Sequence, residues 1–117
     1  MTDARWPAPW VRAALDVAVL ATLDAGPLHG YAVAQALAER GFGLLKGGSL
    51  YPVLNRLEEG GDVDATWVEG QGGPGRKAYD LTAQGRTRLR HDLAAWRELG
   101  ETMTTMTTGP TGATRDG

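Results

Sequence analysis

The stretch from Gly48 to Gly61 constrains this chain more than any other, because it reads as one short helix with two unlike faces. Leu50, Val53, Leu54 and Leu57 follow the i, i+3, i+4, i+7 spacing of a buried stripe. Tyr51, Pro52, Asn55 and Arg56 then fall on the outward side, with groups suited to phosphates and base edges. Ser49 stands where its hydroxyl can cap the first turn, and Gly60-Gly61 offers the left-handed stop that closes a helix. A helix of about three turns has the size that a DNA major groove admits.

The flanking segments tell what such a helix would be mounted on. Residues 1–9 form an arm with two prolines and with Trp6 as its apolar anchor. From Trp10 to about Asp24 the residues are apolar nearly all round, which predicts a helix buried on more than one side. Ala25-Gly26-Pro27-Leu28 breaks it. A second helix runs from His29 or Gly30 through Arg40, with Tyr31, Val33, Ala34, Leu37 and Ala38 at helical spacing and Gly41 as its end. Residues 43–48 connect it to the two-faced helix. Beyond Gly61 the period changes to two, in Val63, Ala65 and Trp67 and again in Lys77 to Leu81, around a glycine-rich tip from Glu69 to Gly75 that reads as mobile. Thr82 is placed as an N-cap, and a long helix follows from Ala83 to about Met106, fraying at its threonine-rich far end.

Three helices, a two-stranded wing and a long helix give a mainly α fold, a winged helix-turn-helix with a long C-terminal dimerisation helix. The domain plan is an arm at 1–9, the winged core at 10–82, the terminal helix at 83–107 and a disordered tail at 108–117. A chain of 117 residues with 42% apolar content forms one domain with a modest core.

Composition removes several functions. With no cysteine there is neither a disulfide nor a zinc finger. The longest apolar run, Val17 to Leu23, is too short to span a bilayer, so a cytoplasmic protein without membrane contact is expected. The glycines from Gly70 to Gly75 have the internal gap of a phosphate loop, but Arg76 precedes Lys77, Ala78 takes the hydroxyl position and a strand follows instead of a helix. Ser49 is the only serine, and His29 and His91 lie on different elements without a clear acidic partner, so catalysis is not expected. Nor is a cofactor or a metal; Glu58, Glu59, Asp62 and Asp64 read as a solvated acidic edge. Net charge is −2, so any attraction to nucleic acid must come from a local patch.

Three motifs carry a family resemblance: Leu28-His29-Gly30-Tyr31, the run from Gly48 to Glu58, and the run from Gly75 to Gly85. In these the chain resembles the PadR-family transcriptional regulators, and in having a single terminal helix it is similar to their short branch. The resemblance implies that Ser49, Tyr51, Pro52 and Asn55 face DNA and that the last helix serves dimerisation. From the residues themselves, Arg56 is suited to guanine O6 and N7, and Asn55 to adenine or a phosphate. Gly75, Arg76 and Lys77 of the wing are suited to phosphate without reading sequence.

Dimerisation is expected from apolar surface that the winged core leaves uncovered: Trp10, Leu89, Leu93, Trp96, Leu99 and Met103. A twofold pair would present its reading helices about 34 Å apart, one DNA turn, and so select a near-palindromic operator. Trp10 and Trp96 either pack as core or line a slot for a small, flat aromatic effector. The reading that follows is a homodimeric, sequence-specific regulator bound to double-stranded DNA, most simply a repressor. The rival is a winged-helix protein-interaction module that does not bind DNA, favoured by the acidic balance.

Overall fold

The computed structural model describes residues 4–43, 47–70 and 73–108. The elements run α1 (Ala8–Thr22), β1 (Leu28–His29), α2 (Gly30–Glu39), α3 (Gly47–Glu59), β2 (Val63–Gly70), β3 (Gly73–Leu81) and α4 (Ala83–Thr108). The expected unstructured tail after 108, the first three residues of the arm, the centre of the 43–48 connection and the tip at 71–72 lie outside the described residues.

One core holds these elements together. α1 contributes Leu15, Val17, Ala18, Val19 and Leu20, α2 Val33, Ala34 and Leu37, and α3 Leu50, Val53, Leu54 and Leu57, all buried. The apolar stripe read from the sequence of α3 is therefore the face that meets the core. Val63, Tyr79 and Leu81 close it from the sheet. α1 begins at Ala8, earlier than its apolar pattern, because Pro7 and Pro9 sit where a first turn has no N–H to lose.

α2 and α3 end in the same way. Gly41 and Gly61 adopt positive φ, +99° and +88°. Beyond each glycine a backbone N–H reaches back to the last turn: Phe42 N donates to the Leu37 carbonyl at 3.0 Å and Asp62 N to the Leu57 carbonyl at 2.9 Å. These are Schellman turns, and the left-handed stop expected at Gly60-Gly61 is one of them. The start of α3 differs from expectation: the helix opens at Gly47, so Ser49 lies inside the first turn and does not cap it.

The sheet has three antiparallel strands in the order β1-β3-β2, and the wing proper is the two-stranded hairpin β2–β3. β1 pairs Leu28 with Tyr79 and His29 with Ala78. Two residues cannot display an alternating pattern, so the sequence marks this strand only as a helix break. His29 Nδ1 lies 3.2 Å from the Lys77 carbonyl oxygen, which only accepts, so Nδ1 carries the proton. The glycine-rich stretch expected to be a mobile tip is mostly strand: β2 reaches Gly70 and β3 starts at Gly73, with a register shift between Val68 and Gly70. Backbone pairing needs no side chain, and glycine simply fails to advertise it.

Thr82 caps α4 as its position predicts. Its Oγ1 accepts from Gly85 N at 3.0 Å and donates to the Gly61 carbonyl at 2.6 Å. The arm packs back on the molecule: Arg5 N donates to the Gly41 carbonyl at 2.7 Å, and the Trp6 ring meets Phe42 edge-on at 5.5 Å.

Candidate nucleic-acid interface

With Leu50, Val53, Leu54 and Leu57 turned inward, the advance of about 100° per helical residue fixes where the other side chains of α3 point. Pro52, Asn55 and Glu59 lie opposite the buried stripe, and all three are exposed. Tyr51 flanks the stripe on the side of the wing, beside Trp67 and Lys77. Ser49 and Arg56 flank it on the other side, facing Asp16 and Arg12 of α1. The candidate readers therefore occupy one continuous outer surface, although Arg56 stands at its margin.

Tyr51 owes its place to a missing side chain. A Cβ on Gly30 would come 2.6 Å from the Tyr51 hydroxyl, so only glycine at the first position of α2 lets the phenol lie across that helix start. The Leu28-His29-Gly30-Tyr31 motif thus works through its glycine. On the wing, Lys77 Nζ donates to Glu58 Oε1 at 3.3 Å and lies 5.7 Å from the centre of the Tyr79 ring. Burial pushes the Tyr79 phenol up, and the nearby ammonium opposes it. Arg76, its neighbour, is exposed, and Gly75 is half-buried against the Val68 carbonyl.

Arg56 is not a free cation. Its Nη2 donates to Asp16 Oδ1 of α1, and the other oxygen of Asp16 lies 3.4 Å from Arg88 Nη2 of α4. Arg88 further donates to Asp62 Oδ2 at 2.7 Å and to Asp92 Oδ2 at 3.1 Å. The hydrogen bond to Asp62, which outweighs the opposing effect of burial, pushes the Arg88 guanidinium up. Four carboxylate oxygens and two guanidinium groups so join α1, α3, the turn after α3 and α4. Neither Asp16 nor Arg88 was picked out from the sequence, since charges on distant elements carry no periodic signal.

The residues expected between protomers divide. Leu89 is a correction: at 5% exposure it belongs to the chain's own core, because α4 packs on α1 and β3 before the helix leaves the domain. Leu93, Trp96, Leu99 and Met103 are exposed, as is Trp10 at 63%. Trp10 and Trp96 share an apolar cavity of about 270 Å³ with Trp6, Val11, Ala14 and Phe42. Trp6 and Phe42 were missed there, because their meeting depends on the arm folding back.

Comparison with known proteins fits this geometry. The sequence pattern described as "Transcriptional regulator PadR-like family" matches residues 19–91. No curated protein matches. Among solved structures, a PadR-like transcription factor from Bacteroides fragilis is 32% identical, with a TM-score of 0.74 over 84% of this chain and 94% of that one. A PadR-family regulator from Eggerthella lenta is also 32% identical, with a TM-score of 0.77 over 85% and 86%. Bacillus subtilis PadR, solved in complex with operator DNA, is 28% identical, with a TM-score of 0.63 over 68% of this chain and 46% of that one. The matched residues run from the end of α1 through α2, α3 and the wing into α4, and the three motifs that carry the resemblance lie within them: this chain belongs to the PadR-like family of transcriptional regulators.

Proposed function

We propose that this protein is a homodimeric, sequence-specific DNA-binding regulator, acting as a repressor that blocks promoter access in the cytoplasm. The observation that carries the reading is the two-sidedness of α3: four buried aliphatic residues fix it to the core, and Pro52 and Asn55 stand outermost beside a wing bearing Arg76. The solved complex of the Bacillus subtilis relative with operator DNA supports the same use of the fold. In this reading α3 enters the major groove with Ser49, Tyr51, Pro52 and Asn55, while Gly75, Arg76 and Lys77 follow the phosphates. Arg56 reaches a base only by leaving Asp16, which lowers its net contribution.

The far half of α4, with Leu93, Trp96, Leu99 and Met103, pairs with a second copy and sets the two reading helices about one DNA turn apart. The cavity between Trp10 and Trp96, walled almost wholly by apolar groups, suits a small planar effector. Such a ligand releases DNA only if it binds two dimer arrangements unequally.

The test is binding to the duplex upstream of the chain's own gene, by footprinting at several salt concentrations. A near-palindromic protected site is expected, with a log–log salt slope of about −5 if a dimer covers about six phosphates. Salt-insensitive binding without a footprint would instead favour the protein-interaction reading.

A further inference from the structure

A cleft of about 270 Å³ lies between the wing and the starts of α2 and α3, and Tyr31, Tyr51, Trp67, Gly75, Arg76 and Lys77 are among its walls. Trp67 is its unexplained member. Alternation along β2 puts Trp67 on the same face as buried Val63 and half-buried Ala65, yet it is 69% exposed, because the strand runs past the end of the core. It stands opposite Lys77 across the sheet. A Cβ on Gly75 would lie 3.5 Å from Trp67 Cε3, so the glycine keeps the wing surface beside the indole bare. A large apolar ring is thus held open on β2, left uncovered by the described residues.

The surroundings select the occupant. Lys77 shares the face of the ring and is bonded to Glu58, Arg76 joins the lining from the next position of β3, and no carboxylate lines the cleft among the described residues. The start of α2 adds the positive end of a helix dipole. Tyr31, largely exposed, and Tyr51, partly exposed, bring hydroxyls. A nucleic-acid backbone alternates anionic phosphates with apolar deoxyriboses, and this cleft offers both cations and hydroxyls and aromatic surface.

We propose that Trp67 is a DNA-contact residue: its indole packs on a deoxyribose of the strand lying between wing and α3, with Arg76 on the adjoining phosphate. This rests on the DNA-binding reading above. The contact touches no base edge, so it holds every sequence alike.

The experiment compares the full-length wild type with Trp67→Ala, Trp67→Phe and Arg76→Ala on the upstream duplex and on a random duplex of equal length. Circular dichroism and sedimentation verify fold and oligomeric state. Trp67→Ala is expected to weaken both duplexes by about tenfold, ~1.4 kcal/mol, with the salt slope unchanged, because an indole displaces no counterion. Trp67→Phe should recover most of the loss. Arg76→Ala should lower the slope by about 1 per contact. Wild-type affinity in Trp67→Ala overturns the assignment while leaving the regulator reading intact. A loss confined to the upstream duplex also overturns it, by making the indole a base reader. A wild type that binds neither duplex overturns both readings.

Discussion

Two glycines in α4 sit in opposite surroundings. At Gly85 a Cβ would fall 2.0 Å from the Asp62 carbonyl oxygen, whereas at Gly100 it would meet nothing within 4 Å. The rest of the helix divides along the same line. Its near half is bound to the domain by Leu89 in the core, by Gln84 Nε2 donating to the Gly60 carbonyl at 2.8 Å, and by Arg88 on Asp62. Its far half shows Trp96, Leu99, Met103 and Met106 to solvent, and the hydroxyls of Thr104 and Thr107 bond back to carbonyls of their own helix. One helix therefore answers to two requirements: the first turns fit this domain, and the later turns carry a stripe that the described residues leave exposed. A helix gains most of its stability from packing, which is why the proposed seam is placed on the far half.

Gly85→Ala tests the near half most severely. It should destabilise the fold by about 3 kcal/mol, because a backbone carbonyl cannot yield as a side chain can; a chemical denaturation midpoint equal to wild type would show the contact to be looser. Trp96→Ala should instead spare the monomer's core and weaken self-association by about 30-fold, ~2 kcal/mol, as truncation of a central aromatic does. Sedimentation across a concentration series reads this, and an unchanged profile would place the seam elsewhere. Asp62→Ala, which removes the acceptor of Arg88 and Gln84, should cost about 1.5 kcal/mol of folding stability, measured in urea. Least of all, Gly100→Ala should stabilise the helix by about 0.5–1 kcal/mol, since it fills open space and restricts the unfolded chain. A loss there would mean that a neighbour approaches closely at Gly100.

How much of this could be read beforehand depends on whether a signal is local. The stripe of α3, the glycine stops and the cap at Thr82 each arise within about two turns of one helix, and the residues name them directly. Leu89 misled because it lies on the same helical stripe as Leu93 and Trp96, and a stripe does not say where along its length the covering partner changes. β1 was missed for want of length, and the extent of the wing because glycine pairs without patterning. The candidate interface shows the same split. The exposure of Tyr51, Pro52 and Asn55 follows from the period of one helix, but the hold of Asp16 on Arg56 and the openness of Trp67 require elements distant in sequence to meet.

The Schellman turn at Gly61 and the cluster around Asp62 make the end of α3 and the start of α4 one stiff piece. α4 extends about 39 Å from that joint, at 1.5 Å per residue. In a pair seated on the far half of α4, each such shaft acts as a lever with the groove-facing helix at its short end. A small change in how the two shafts cross would pass almost undamped into the spacing of the reading heads, so tuning for operator length would reside in the seam rather than in the head itself.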